Sequence, residues 1–236
     1  MKPLAYKLRP KTFDDIIGQE HLVGPNGIIR KMVAKKKLPS LILYGKPGIG
    51  KTTLALIICE EMHIPYFTFN ASTDNKALLK EYIEKGNQQE IILIIDEIHR
   101  MKKDIQDYLL PFIEDGTIII IGITTINPYN SVNPAIRSRC LIYKLKDITE
   151  QDLEICLYRT LKIINPNLDI DEDAKTYIIH AVNGEIRFLI NILENITSLI
   201  DNNKISLLDA KSIIQRPSIS IDKNEDNYYD TLSGLQ

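Results

Sequence analysis

The chain has 236 residues, of which 44% are hydrophobic and 25% charged, and its formal net charge is −2 at pH 7. This composition is typical of a globular protein with one large or two small domains. The net charge argues against a chain wrapped in nucleic acid, so any DNA contact is expected to be local. The sequence has three cysteines, an odd number, which predicts reduced thiols. It contains no apolar run long enough to span a bilayer and no signal-peptide core, which predicts a cytoplasmic protein with no membrane partner.

The chain opens with an N-terminal arm, residues 1–18. Residues 2–11 carry four basic side chains and two prolines, which predicts an extended segment. A turn follows, and a helix is expected near Gly27 to Lys37. A basic arm of this kind is by default a solvated charge run. Its apolar end leaves a second interpretation open, in which Ile17 and Gly18 wall a bound ligand.

The next element is a strand that breaks into a glycine-rich turn and then a helix, between Leu41 and Met62. Its glycines permit backbone conformations in which successive amides point at phosphate oxygens, at a helix N-terminus that already favours anions. In this pattern Lys51 reaches the β- and γ-phosphates and the Thr52 hydroxyl holds Mg²⁺. The expected nucleotide contacts are Gly45, Lys46, Pro47, Gly48, Ile49, Gly50, Lys51, Thr52 and Thr53, with Ile17 and Gly18 as the possible adenine wall.

A second chemical signature follows a predicted strand from Tyr66 to Asn70 and a helix from Lys76 to Lys85. A wholly apolar strand begins at Ile91 and carries two carboxylates, Asp96 and Glu97, at its C-terminal end. Ligands of parallel sheets bind at that edge. Asp96 would orient Mg²⁺ and Glu97 would polarise the attacking water. Alone, two acids after a strand equally suit a solvated turn, and the phosphate loop favours the catalytic interpretation.

The same alternation continues to Tyr143. A helix is predicted from Arg100 to Asp115, then an apolar strand from Thr117 to Gly122 whose end carries Thr125, which either contacts the γ-phosphate or reflects β-propensity alone. A short helix from Asn133 and a last strand, Leu141 to Tyr143, complete the pattern. Five strands alternating with helices predict an α/β sandwich.

From residue 147 to 216 the pattern is helical only, which predicts a second, smaller domain. Thr149 and Asp152 form a capping signal for its first helix, and Ser206 caps its fourth. Arg187 stands at the start of the third helix, where its charge opposes the helix dipole. It therefore has an anionic partner or is an ordinary surface arginine. The polar residues 217–236 read as a linker.

Together these residues resemble the AAA+ ATPases, and within them the RarA/MgsA family of replication-associated recombination proteins, related to the Werner-interacting protein. The resemblance covers nearly the whole chain, and its most specific parts are Leu4 to Pro10, Ile17 to Gly24, Leu38 to Gly45, Asp96 to Arg100, Ile113 to Thr117, Thr124 to Pro128 and Asn133 to Arg139. It implies an AAA+ three-layer sandwich with a five-stranded parallel sheet over residues 1–146 and a small all-α lid over 147–216. It also implies four site residues: Thr125 as first sensor, Arg139 as an arginine finger acting on a neighbouring subunit, Arg187 as second sensor, and Asn70 as a switch that restrains Glu97.

The resemblance further implies an ATP-driven, Mg²⁺-dependent enzyme that remodels DNA at stalled or gapped replication forks. Its implied partners are forked, gapped or junction DNA, single-strand-binding protein and further copies of the chain. Lys46 and Ile126 depart from the family pattern, away from the reacting atoms. Family members continue into a C-terminal tetramer-forming domain beyond the point where this sequence ends, so its oligomeric state stays open. Two alternatives are a clamp loader subunit and a weakly hydrolysing nucleotide-binding scaffold.

Overall fold

The computed structural model describes residues 4–200 and 203–214. Its centre is a parallel sheet of five strands in the spatial order β2-β3-β4-β1-β5. The strands are β1 (Leu41–Tyr44), β2 (Tyr66–Asn70), β3 (Ile91–Asp96), β4 (Ile118–Thr124) and β5 (Leu141–Lys144). The five predicted strands are confirmed, and β4 and β5 end slightly later than the sequence predicted.

Helices cover both faces of this sheet, which gives three layers. The helices of the α/β part are α1 (Leu4–Lys7), α2 (Glu20–Val23), α3 (Ile28–Ala34), α4 (Lys51–Met62), α5 (Lys76–Gly86), α6 (Lys103–Glu114), α7 (Pro128–Ser131) and α8 (Pro134–Arg137). Because both faces are covered, β4 is buried along its whole length and β3 up to its last residue. One core packs α3 and α4 against the sheet, and a second packs α5 and α6 against the opposite face.

The strand order brings three chain segments to one edge. β4 lies between β1 and β3, so the C-terminal ends of β1, β4 and β3 are adjacent. The glycine-rich turn follows β1, the pair Thr124 and Thr125 ends β4, and the carboxylates end β3. This edge is where ligands of open parallel sheets bind.

The helical part consists of α9 (Glu150–Ile164), α10 (Glu172–Val182), α11 (Ile186–Leu199) and α12 (Leu207–Ile213). The predicted caps are present, since Thr149 and Asp152 form a reciprocal capping box and Ser206 forms another with Asp209. The expectation of helices alone was wrong in one detail. Two short strands, β6 (Asp169–Ile170) and β7 (Lys204–Ile205), pair in parallel between the helices. The division of the chain at residues 146 and 147 stays a prediction, and the linker predicted at 217–236 lies outside the described residues.

The N-terminal arm differs from the extended segment that the sequence predicted. It contains one helical turn, α1, which packs on α11. The Leu4 amide donates to Glu194 Oε1 at 2.9 Å, and Arg159 of α9 donates to Asp15 Oδ1 at 2.5 Å. These contacts attach the arm to the helical part. Across the described ranges, no helix is long and apolar enough to cross a membrane.

Candidate nucleotide-binding site

The glycine-rich turn between β1 and α4 has the backbone shape that the sequence predicted. Gly48 and Gly50 have φ values of 73° and 99°, in the left-handed region that other residues rarely adopt. Gly50 is the N-cap of α4 and offers no side chain to its amides, and the first turn of α4 contains no acidic residue. The exposed amides and the positive end of the helix dipole therefore form a cradle for an anion.

Lys51 lies inside this cradle. It is only 7% exposed, and its Nζ donates to the carbonyl oxygens of Gly45 at 2.8 Å and Lys46 at 2.6 Å. Burial lowers the pKa of Lys51, although the nearby carboxylates of Glu97 and Asp96 act in the opposite direction. An ammonium has three donors, so one remains for a further acceptor beside the two carbonyls.

The end of β3 presents the two carboxylates on a tight turn. Glu97 has φ 53° and ψ 41°, a left-handed conformation that is uncommon for a residue with a side chain. Its amide donates to Asp96 Oδ1 at 3.0 Å, and its carbonyl accepts from the Arg100 amide at 2.7 Å. Both acids are half-buried. The turn thus fixes the backbone positions from which the two acidic side chains extend. Backbone strain of this kind is concentrated at functional sites.

The predicted sensor residues line the same cavity as the acids. Thr125, at the end of β4, and Arg187, in the first turn of α11, both border the cavity formed by the turn and the β3 carboxylates. Arg187 is close enough to Lys51 to contribute to the lowering of its pKa. None of the described carboxylates forms an ion pair with Arg187. From the turn and α4, the lining residues are Pro47, Gly48, Gly50, Lys51, Thr52 and Thr53.

A second, more apolar cavity adjoins the phosphate cradle. It is bordered by Ile17 of the arm, by Ile186 and Ile190 of α11, and by Gly50 and Thr53. An apolar slot beside a phosphate cradle suits the flat face of a base. Gly18 is not part of its lining. Its φ is 77°, and a Cβ there would meet Ile148 and Asp152, so this glycine serves a turn packed against the helical part.

The Lys46 side chain points away from the cradle. The Lys46 side chain forms an ion pair with Asp147 Oδ2 at 2.8 Å, so the lysine contributes its carbonyl to Lys51 and directs its charge away. Ile49 is buried in the core and borders the apolar cavity, and Gly45 contributes its carbonyl to Lys51. Contact of these three residues with a nucleotide stays a prediction.

Neither Asn70 nor Arg139 borders the cavity, although Asn70 lies opposite Asp96 in the β2–β3 register. The Asn70 amide oxygen accepts from the Ser72 amide at 2.9 Å, and among the described residues no hydrogen bond joins Asn70 to Glu97. Arg139 Nη1 donates to Ala135 O at 2.7 Å, and Nη2 pairs with Glu114. The switch role of Asn70 and the finger role of Arg139 therefore stay predictions.

Sequence reasoning missed several residues of this site. Arg9 borders both cavities, and Ile186 and Ile190 complete the apolar one. The available signal for Arg9 was the following proline, which favours an extended Arg9. In the sequence, Ile186 and Ile190 indicated only the apolar face of a helix. The His99 side chain, 3.3 Å from Glu97 Oε2, was likewise unassigned.

The residues present fit a nucleotide with Mg²⁺. In the described ranges no group of three or more His, Cys, Asp or Glu side chains gathers around one point. A hard cation held by few protein oxygens usually takes its other ligands from water and substrate phosphates. Thr52 and Asp96 border the cavity and are the oxygen donors that would hold it.

Comparison with known proteins agrees with this architecture. Residues 8–132 match the family described as the Holliday junction DNA helicase RuvB P-loop domain, and residues 164–236 match an AAA C-terminal domain. Thermotoga maritima RuvB, described as a Holliday junction branch migration motor, has the same fold, with a TM-score of 0.75 over 87% of this chain and 72% of that one at 24% identity.

Two curated relatives extend over essentially the whole chain. Replication-associated recombination protein A of Bacillus subtilis is 41% identical over 100% of this chain, which spans 59% of that protein. ATPase WRNIP1 of Dictyostelium discoideum is 34% identical over 99% of this chain, which spans 30% of that protein. The chain therefore belongs to the AAA+ ATPases with a RuvB-type P-loop domain, and within them to the family of replication-associated recombination protein A and ATPase WRNIP1, as its motifs predicted.

Proposed function

We propose that this chain binds ATP with Mg²⁺ in the cavity at the sheet edge and hydrolyses it to drive DNA remodelling in replication, recombination and repair. The observation that carries the proposal is that residues from separate parts of the chain border one cavity. Lys51 and Thr52, the acids Asp96 and Glu97, and the lid residue Arg187 border one cavity although they come from three separate parts of the chain. When bound, Mg²⁺ neutralises phosphate charge.

Each residue has a role that follows from its chemistry. The α4 amides and Lys51 bind the phosphates, Thr52 and Asp96 hold the cation, and Glu97 accepts a proton from the attacking water. Thr125 and Arg187 contact the γ-phosphate. The apolar slot at Ile17 excludes water from the base.

The remaining parts of the proposal rest on the relatives. We place the protein in the cytoplasm, at stalled or gapped replication forks, with fork or junction DNA and single-strand-binding protein as partners. Its active form is a homo-oligomer in which Arg139 completes a neighbouring site. Support for this last point is the position of Arg139 on the surface, outside its own cavity.

The test combines three variants of the turn and the β3 end. Lys51→Ala should lose detectable ATP binding, because hydrogen bonds to charged groups contribute about 1.5–3 kcal/mol each. Glu97→Gln should bind ATP and lose about 10²-fold or more in turnover, because the amide cannot accept the proton. Lys46→Ala removes a lysine of the same turn that points to Asp147, and it should behave as wild type.

ATP binding and hydrolysis are measured with and without forked DNA, after thermal unfolding has shown that each variant is folded. Stimulation by forked DNA supports the remodelling role. Stimulation by a sliding clamp alone would instead favour a clamp loader. Tight ATP binding by Lys51→Ala would show that the cradle is not the nucleotide site.

A further inference from the structure

The His99 imidazole lies between the ends of β3 and β4. It belongs to a single 3-10 turn, Ile98–Arg100, that follows Glu97. Its Nδ1 is 2.9 Å from Thr124 Oγ1 and 3.3 Å from Glu97 Oε2. The His99 side chain is 9% exposed and Thr124 is 1% exposed. One ring nitrogen therefore faces both a buried hydroxyl and the proposed catalytic carboxylate.

The hydrogen bonds of Thr124 favour one tautomer of His99. A hydroxyl has one hydrogen to donate and two lone pairs. Thr124 Oγ1 lies 3.2 Å from Ile126 O, to which it donates, and 3.1 Å from the Ile126 amide, from which it accepts. The remaining lone pair faces His99 Nδ1, and an ionised carboxylate also only accepts. In that arrangement Nδ1 carries the hydrogen and donates it to Thr124 Oγ1, and Glu97 Oε2 lies 3.3 Å from the same nitrogen.

The turn fixes the backbone of Glu97, and its carboxylate has two polar neighbours. Lys51 interacts with it through charge, and His99 Nδ1 lies 3.3 Å from its Oε2. Asn70, on the neighbouring strand, is engaged with the Ser72 amide instead. A half-exposed glutamate without such a partner would sample several rotamers, and a general base must be held within hydrogen-bond reach of its proton.

We propose that His99 is the positioning residue of this site: its Nδ1–H, anchored on Thr124 Oγ1, attracts the Glu97 carboxylate 3.3 Å away and limits where that carboxylate can move. Thr124 directly precedes Thr125, which borders the cavity. A displacement of the β4 end is thereby transmitted to Glu97 through one imidazole. The inference rests on the proposed function for its catalytic consequence, and the contact itself can be tested without nucleotide.

The first test reads the tautomer by ¹⁵N NMR of the histidine side chains in the whole chain. The protein has four histidines, and the signal that disappears in His99→Asn identifies His99. We expect a neutral ring protonated at Nδ1, and a changed Nδ1 signal in Glu97→Gln. A ring protonated at Nε2 alone, or a signal unaffected by Glu97→Gln, would overturn the proposal.

The second test separates positioning from packing. His99→Phe keeps a ring without a donor, whereas His99→Asn places an amide N–H near the position of Nδ1. We expect the phenylalanine variant to lose about tenfold to 10²-fold in kcat, as loss of a well-placed base would. Binding of a fluorescent ATP analogue should change less than about twofold, because His99 does not border the phosphate cradle. The asparagine variant should retain most of the wild-type kcat.

Equal losses in both variants, or no loss in His99→Phe, would refute the positioning role. If His99→Phe does not fold, His99→Gln replaces it, because its longer amide reaches the position of Nε2 instead of Nδ1. An inactive wild type would reject the proposed hydrolysis, while the NMR result would still decide whether His99 holds Glu97.

Discussion

Mixing two inactive variants tests whether Arg139 acts on a neighbouring subunit. Arg139 lies outside the cavity of its own chain and pairs with Glu114, and the two side chains are 35% and 50% exposed. Such an exposed pair contributes about 0–1 kcal/mol to stability. Arg139→Ala should therefore fold nearly as well as wild type. As a trans-acting finger, however, an arginine can contribute about 10³ to 10⁵ in rate.

The two variants are complementary because their lesions lie in different halves of a shared site. Arg139→Ala keeps an intact cradle, and Lys51→Ala keeps an intact finger. In an equal mixture that associates at random, about one interface in four joins an intact cradle to an intact finger. Activity should thus return to about a quarter of the wild-type level per subunit. Wild-type activity per subunit should also rise with protein concentration.

The assay is phosphate release from each variant, from the mixture, and from wild type over a wide concentration range. Arg137→Ala is the matched control, since Arg137 stacks 5.2 Å from the Tyr129 ring and donates to Val132 O at 3.0 Å. We expect it to retain turnover. A mixture as inactive as its components, together with flat activity per subunit, would assign Arg139 to structure or to DNA contact.

Three further predictions concern the arm and the helical part. Asp152→Ala removes the capping box of α9 and should cost about 1 kcal/mol of unfolding free energy in urea titrations; an unchanged midpoint would contradict it. Ile17→Ala should weaken ATP binding about fourfold, because the contact of roughly one buried methylene with the base, about 0.8 kcal/mol, is lost. The Ile17→Ala variant should bind tripolyphosphate as wild type does, because tripolyphosphate has no base. As a second control, Ile155→Ala at an exposed position of α9 should change the binding of neither ATP nor tripolyphosphate. Burial raises the pKa of Asp15, but hydrogen bonds from backbone amides and Arg159 outweigh it and lower the pKa to about 2. A lowered folded-state pKa stabilises above the ordinary value near 3.8, so the stability difference between wild type and Asp15→Asn should shrink as the pH falls from about 4 to about 2; a constant difference would refute it.

The sequence alone determined the features that local chemistry sets. The turn at Gly48 and Gly50 needs a backbone that only glycine adopts readily, and the capping box at Thr149 needs a short polar side chain three residues before an acid. Apolar runs flanked by such signals predicted the five strands of the sheet and the helices of the lid. The same motifs also indicated the family, because they include the atoms that would touch ATP.

The tertiary structure decided which residues meet. Strand order placed β4 between β1 and β3, and this arrangement alone brings Thr124 and His99 together beside Glu97. Packing of the arm on α11 turned residues that read as extended into helix α1 and carried Arg9 to the cavity. Local propensity predicts neither result, because each depends on contacts between residues far apart in the chain. These contacts form only when the layers pack together.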